Sequence, residues 1–193
     1  MAGALHPAEN RALRELYATS HQLAEHWERL AAWLADADSE AAGALASGAQ
    51  LARKLQTELA QVTPAYGLYG SPAARGVGAR LADARKLVAD RFLERNQSVR
   101  LAVLDGHHVA TLLGYLSELA DRRGDQELAE FHRGASGRVD RATNRVRKAA
   151  IALGAEPDAA IEPVDPSPAG RAGQRAASTA GAVGEWIDRR GRS

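Results

Sequence analysis

The chain has 193 residues, of which 45% are hydrophobic and 25% are charged, the balance of an ordinary globular protein. It contains no cysteine, so disulfides, thiolate metal sites and thiol nucleophiles are excluded. The formal net charge of +1 does not by itself indicate a nucleic-acid or membrane partner, and no apolar run reaches the roughly 18 residues of a membrane span.

Composition also predicts the fold class. Alanine, leucine, arginine and glutamate favour helices and are abundant, whereas β-branched and aromatic residues are sparse. We therefore expect an all-α fold, an antiparallel bundle of four to five helices with a proline-rich C-terminal arm. Residues 7–154 would form the bundle, 155–170 a linker, and 171–190 a short amphipathic helix.

The first residues bear on cellular location. They lack a basic stretch followed by an apolar segment and a small-residue cleavage site, so we expect a cytoplasmic protein. Arginine strongly outnumbers lysine, a bias typical of GC-rich bacterial genomes.

The clearest periodic pattern predicts a first helix that starts near Pro7. Proline suits the first helical turn, and Glu9 places a negative charge near the positive end of the helix dipole. Residues of the buried stripe then recur three and four positions apart, at Leu13, Leu16, Ser20, Leu23, Trp27, Leu30 and Leu34. This spacing is typical of a helix that packs along a nearly parallel neighbour.

A second helix is expected to fold back on the first. Asp36, Asp38 or Ser39 would cap it. Its stripe continues the same spacing, at Ala41, Leu45, Gly48, Ala52, Leu55, Leu59 and Val62. The small residues of its first half would allow a close approach to the bulky Trp27 and Trp33.

Prolines and glycines interrupt the helical pattern over residues 63–76. Tyr66 and Tyr69 lie in this segment, and paired tyrosines are suited to a partner-binding surface because the ring is both apolar and hydrogen-bonding. The alternative is that they fold back over the end of the bundle.

Residues 73–123 predict either one bent helix or two helices. The first part carries apolar residues at Val77, Leu81, Ala84, Val88 and Phe92. Ser98 is a candidate cap for a separate helix. The face predicted to pack in the second part consists of Leu101, Leu104, His108, Leu112, Tyr115 and Leu119. Gly124 and Asp125 then indicate a helix stop followed by a new cap.

The next helix has strict heptad spacing and is expected to end at Gly154. Its stripe consists of Leu128, His132, Ala135, Val139, Ala142, Val146, Ala149 and Leu153. The linker over 155–170 holds four prolines, AEPDAAIEPVDPSPAG, and is expected to add nothing to the core. Trp186 would anchor the terminal helix on the bundle or on a partner.

Metal binding is a candidate function because helical bundles commonly host di-iron centres. The Glu-x-x-His pairs of ferritin-like bundles are absent, since Ala129 precedes His132 by three residues and Asp105 precedes His108 by three. A non-standard metal site remains an alternative. Its ligands would come from His21, Glu25, Glu28 and His108. His108 would lie roughly level with Asp140 if the third and fourth helices form a hairpin around Gly124, so a pair between them is one interpretation, and a partnered histidine in the core or at its boundary is the favoured one.

A basic stripe marks the fourth helix and suggests a contact with phosphates or an acidic partner. It consists of Arg138, Arg141, Arg145 and Lys148, with Arg147 adjacent. A solvated helix face is the competing interpretation, because Asp140 lies beside the stripe and the whole chain is nearly neutral.

These patterns predict a non-catalytic scaffold or interaction module without a cofactor. No phosphate-binding loop, His-Glu-x-x-His or Gly-x-Ser-x-Gly motif is present. The expected partner is a protein, either a second copy or another chain. A ferritin-like metal protein and a nucleic-acid binder that uses the basic helix face are the alternatives.

Overall fold

A computed structural model describes residues 5–68 and 92–176. Four long helices dominate it: α1 (Pro7–Leu34), α2 (Ser39–Val62), α3 (Arg95–Arg123) and α4 (Gln126–Ala152). Short 3₁₀ turns at Thr63–Tyr66 and Leu153–Ala155 follow α2 and α4, and the single-turn helix α5 covers Pro157–Ala160. Residues 168–176 are also helical. The predicted all-α bundle is confirmed.

The four long helices form a ring in which each packs against two neighbours, in the order α1, α2, α4, α3. Glu9 of α1 pairs with Arg123 of α3, and His26 pairs with Asp105, so α1 and α3 run antiparallel. Glu58 and Ser47 of α2 contact Arg138 and Arg145 of α4, respectively, so these two helices are antiparallel as well. As a result α2 and α3 run in the same direction. None of the described helices is long and apolar enough to cross a membrane.

The first helix begins and packs as its sequence predicts. Pro7 is its first residue, and the side chain of His6 caps it by accepting a hydrogen bond from the Ala8 N–H. Every residue of the predicted stripe, from Leu13 to Leu34, is buried. Asp38 is the cap of α2, and its side chain accepts from the Ala41 N–H at 2.9 Å. The stripe of α2 is buried up to Leu59, and Val62 is half-buried.

Trp27 is the largest side chain in the core, and two glycines make room for it. A Cβ at Gly48 of α2 or at Gly106 of α3 would overlap the ring of Trp27 or Thr143 beside it. The indole Nε1 donates to the Ala102 carbonyl at 3.1 Å. The predicted match of small residues to the bulky indole is therefore confirmed for Trp27.

The turn between α3 and α4 matches its prediction. Gly124 ends α3 in the left-handed region with φ of 80°, where a side chain would be strained. Asp125 caps α4 by accepting from the Leu128 N–H at 3.1 Å. The heptad stripe of α4 is buried, including Leu153 just beyond the helix.

The prediction for the packing face of α3 is wrong. The helix starts at Arg95, with a capping box between Glu94 and Gln97, so Ser98 lies inside it. Its buried stripe consists of Val99, Ala102, Gly106, Val109, Leu113, Leu116 and Ala120. Of the face predicted from the sequence, Leu112 is buried and Leu119 half-buried, whereas Leu101, Leu104, His108 and Tyr115 are exposed. The small residues Ala102 and Gly106 face the core beside Trp27, which fills the adjoining space.

The segment after α4 adds to the core, contrary to expectation. Ala160 and Val164 are buried in the main apolar cluster, and Asp165 is also buried. The Val164 N–H donates to the Leu93 carbonyl at 3.0 Å, and the Arg95 N–H donates to the Glu162 carbonyl at 2.9 Å. The start of the predicted terminal helix, residues 171–176, is helical, and the remainder lies outside the described residues. Most of the helix predicted over 73–92 also lies outside them.

The space around Trp27 can be tested with two matched substitutions in α2. Gly48→Ala should lower the free energy of unfolding by about 1–3 kcal/mol, because the added methyl group overlaps the indole. Gly43→Ala should raise it by up to about 1 kcal/mol, since a Cβ at Gly43 meets nothing within 4 Å and alanine favours helix. Chemical denaturation of both variants measures the difference. Equal effects of the two substitutions would contradict the packing.

Candidate functional site

A polar cluster ties three helices together at the end of the bundle where α3 turns into α4. Glu9 is almost fully buried, and both its oxygens accept from Arg123, at 3.1 and 3.0 Å. Arg123 also pairs with Asp125 at 3.1 Å, and its guanidinium lies over the Tyr66 ring, 5.4 Å from the centroid. The Tyr66 hydroxyl donates to Asp125 at 2.7 Å. Glu9, Arg123 and Asp125 thus link the start of α1 to the α3–α4 turn.

The protonation states within this cluster favour a fixed network. Burial and the hydrogen bond to Asp125 raise the pKa of Tyr66 to about 12. Burial opposes ionisation of Asp125, but the Tyr66 hydroxyl, the Leu128 N–H and Arg123 lower its pKa overall. Glu9 holds the pKa of Arg123 above its usual value. At neutral pH the phenol is therefore neutral, the carboxylate charged and each group partnered, which suits a structural role.

Of the two tyrosines proposed as a contact surface, Tyr66 takes the alternative role. It is half-buried over the end of the bundle and bound to Asp125. Tyr69 and Trp186 lie outside the described residues, so their roles stay predictions.

His132 is a buried titratable group inside α4. Its side chain is fully buried, and neither ring nitrogen has a hydrogen-bond partner within the described ranges. The ring of Phe131 meets it edge-on, with centroids 5.2 Å apart. Burial lowers the pKa of His132 to about 4, against a small opposing effect of Asp125. The imidazole is therefore neutral near pH 7.

The predicted metal ligands are distributed over separate pairs. His21 pairs with Glu25 at 3.1 Å, whereas Glu28 pairs with Arg53 of α2. His108 lies 3.4 Å from Glu15 of α1. Within residues 5–68 and 92–176, no three histidine, aspartate or glutamate side chains form a group that could hold a metal ion.

The pair of His108 with Asp140, which was one interpretation of the sequence, is not formed. His108 is half-exposed on the side of α3 that faces α1, where it meets Glu15. Asp105 of α3 contacts His26 of α1 at 2.7 Å, and this contact was not predicted. The buried stripe of α3 differs from the one assumed, so His108 is turned away from α4.

The basic stripe of α4 divides into a neutralised part and an exposed part. Arg138 pairs with Glu58 of α2 beside a surface groove that Phe131 also lines. The exposed cations are Arg141, Arg145, Arg147 and Lys148. Arg145 reaches the Ser47 hydroxyl of α2 at 3.5 Å, and none of the four has an acidic partner in the described part of the chain.

An exposed apolar stripe on α3 is the surface feature that the sequence analysis assigned to the wrong environment. Six exposed residues, spaced three and four apart, form what we call the outer stripe: Leu101, Leu104, His108, Thr111, Tyr115 and Glu118. Leu104 is 61% exposed, Tyr115 48% and Leu101 40%. The same spacing on the opposite side of the helix seals the core, so α3 carries one buried and one exposed stripe at helix-packing spacing.

His132 makes stability depend on pH. The unfolded chain binds a proton near pH 6.5 and the folded chain only near pH 4, so the stability present above pH 6.5 falls as the pH drops through this window. From pH 7 to about pH 4.5 we expect a loss of about 2 kcal/mol from this group. In His132→Leu this loss should disappear from the denaturation curves. Equal losses in the parent and in His132→Leu would contradict the assignment.

Three surfaces or groups thus stand out in the described residues: the buried polar cluster, the exposed cations of α4 and the outer stripe of α3. Comparison with known proteins found no matching family model, no curated protein whose sequence matches, and no solved structure that matches.

Proposed function

We propose that this chain is a non-catalytic helical-bundle interaction module that self-associates through the outer stripe of α3. The observation that carries the proposal is the presence of three exposed apolar side chains, Leu101, Leu104 and Tyr115, in one stripe at helix-packing spacing, of which Leu104 is the most exposed at 61%. Single exposed leucines are common on protein surfaces. Leu101, Leu104 and Tyr115 instead share one face of one helix, the arrangement expected of a helix that meets a partner.

The energetics favour covering this face. Full burial of a leucine or aromatic side chain stabilises by roughly 1.5–3 kcal/mol relative to leaving it in water. Leu101, Leu104 and Tyr115 are 40%, 61% and 48% exposed, so a partner that covers them would add part of this burial energy. The stripe is rimmed by polar residues such as Arg100 and His107, as contact surfaces commonly are.

A second copy of the chain fits this face because the middle four residues of the outer stripe are matched in character when the stripe is reversed. Its middle pair, His108 and Thr111, is polar, and a large apolar residue lies on each side, Leu104 and Tyr115. Such a surface suits a two-fold dimer, in which the same patch serves both copies. The stripe is about 26 Å long. One helix pair of this length buries less than the ~1,200–2,000 Å² of a standard interface, so we expect a reversible dimer.

Self-association can be tested with one substitution and a matched control. Leu104→Glu should abolish or strongly weaken the dimer, since it places a charge at the most exposed apolar residue of the contact. Ile151→Glu introduces the same charge at a residue of α4 that is equally exposed, 63% against 61%, and should leave the dimer intact. Sedimentation over a range of concentrations measures the mass of each protein.

A monomer at every concentration of the parent chain would contradict the proposal, as would equal effects of the two substitutions. Truncation after Ala176 tests whether residues 177–193 occupy the stripe instead. Dimerisation that increases on truncation would assign the stripe to that segment. Truncation after Ala176 keeps the buried residues Ala160 and Val164, whereas a truncation that removed residues 156–193 would delete this part of the core.

Binding of an anionic polymer is a second candidate function, and it is supported by the exposed cations of α4. Arg141, Arg145 and Lys148 lie on one line of the helix, four and three residues apart. Guanidinium groups bind phosphates through paired hydrogen bonds, so nucleic acid is the partner to test.

For this candidate, the double variant Arg141→Glu with Arg145→Glu should reduce nucleic-acid affinity and flatten its dependence on salt. Arg11→Glu with Arg14→Glu on α1 changes the net charge equally and serves as the control, since both residues are exposed. Fluorescence anisotropy with a labelled oligonucleotide measures binding. No binding by the parent chain at low salt, or equal losses in both double variants, would remove the candidate.

A further inference from the structure

We infer that two copies of α3 pair antiparallel, with a two-fold axis that passes between His108 and Thr111. This inference rests on the proposed self-association and specifies its geometry. In this arrangement Leu104 packs against the partner's Tyr115, and Leu101 against the partner's Glu118.

The spacing of the outer stripe fixes this register. Positions 101, 108 and 115 alternate with 104, 111 and 118, as do the two kinds of core position in a coiled coil. In an antiparallel pair each layer joins one position of each kind. The stripe then closes on itself in layers that join 101 with 118, 104 with 115, and 108 with 111, and the large apolar residues Leu104 and Tyr115 meet in one layer. In every other antiparallel register, shifted by seven residues or more, Leu104 or Tyr115 either lies past the end of the partner's stripe or lies opposite a polar residue.

Side-chain size suits this register. Tyr115 is the bulkiest residue of the outer stripe, and the position before it is the exposed Gly114. A Cβ added at Gly114 would meet nothing within 4 Å, so the surface beside Tyr115 is open. The partner's Leu104 can therefore approach the ring closely. Polar residues, His108 and Thr111, occupy the two central layers, and polar core positions select one register over others.

Charge favours the antiparallel direction over the parallel one. In a parallel pair with matched positions, Arg100 would lie beside the partner's Arg100 and Glu118 beside the partner's Glu118. The antiparallel pair instead brings Arg100 to the end of α3 that carries the partner's Glu118. Glu118 is exposed, and its pair with Arg122 on the same helix, at 2.9 Å, leaves its second oxygen available. The helix dipoles also align favourably when the helices run in opposite directions.

The absence of native cysteine allows a direct test by disulfide cross-linking of the full-length chain. Leu104→Cys and Tyr115→Cys are prepared separately, oxidised alone and oxidised as a mixture. In the inferred register, residue 104 faces the partner's residue 115, whereas two copies of residue 104 lie about 16 Å apart along the axis. Since a disulfide needs Cα atoms within about 7 Å, only the mixture should cross-link. Ile151→Cys serves as the control outside the stripe.

Leu101→Cys mixed with Glu118→Cys provides a second pair in case the first substitutions weaken the dimer. Cross-linking of each single variant to itself, with no product that joins the two variants in the mixture, would establish a parallel pair and overturn the register while self-association stands. A dimeric parent chain with no cross-link in either pair would place the contact elsewhere and also overturn the inference. A parent chain that is monomeric by mass would overturn the proposed function itself.

Discussion

The helix α3 carries two packing stripes, and only one of them can face the core. Val99, Ala102 and Gly106 lie inward because Trp27 fills the space between α1, α2 and α3. The bulkier Leu104 and Tyr115 are consequently turned outward. One large indole on α1 thus determines both how the bundle closes and which surface remains for a partner.

The buried polar groups hold the end of the bundle in place and keep the outer stripe in position. Arg123 joins Glu9 of α1 to Asp125 at the start of α4. Tyr66, in the 3₁₀ turn that follows α2, also binds Asp125 and so ties that turn to the cluster. Burial of such charges stabilises only when each is partnered, as they are here.

Sequence reasoning was accurate where a helix has one apolar side. The stripe from Leu13 to Leu34 and the turn at Gly124 follow from spacing and from backbone preference alone. It was wrong for α3, where both sides are apolar and the larger residues were assigned inward. The signal that could have reversed this choice is Trp27, because a bulky residue on one helix requires small ones opposite. The contacts of His108 and His26 were missed for the same reason, since both depend on how α3 is rotated.

We propose that the buried stripe of α3 stays in the core of the bundle while the outer stripe binds a second copy of the chain. Backbone NMR spectra of the parent chain recorded over a dilution series test it most directly. The account predicts that amide signals at Leu101, Leu104, Thr111 and Tyr115 shift with concentration, whereas those of α4 around Ile151 stay constant. Spectra that do not change with concentration, or shifts centred on another helix, would contradict it.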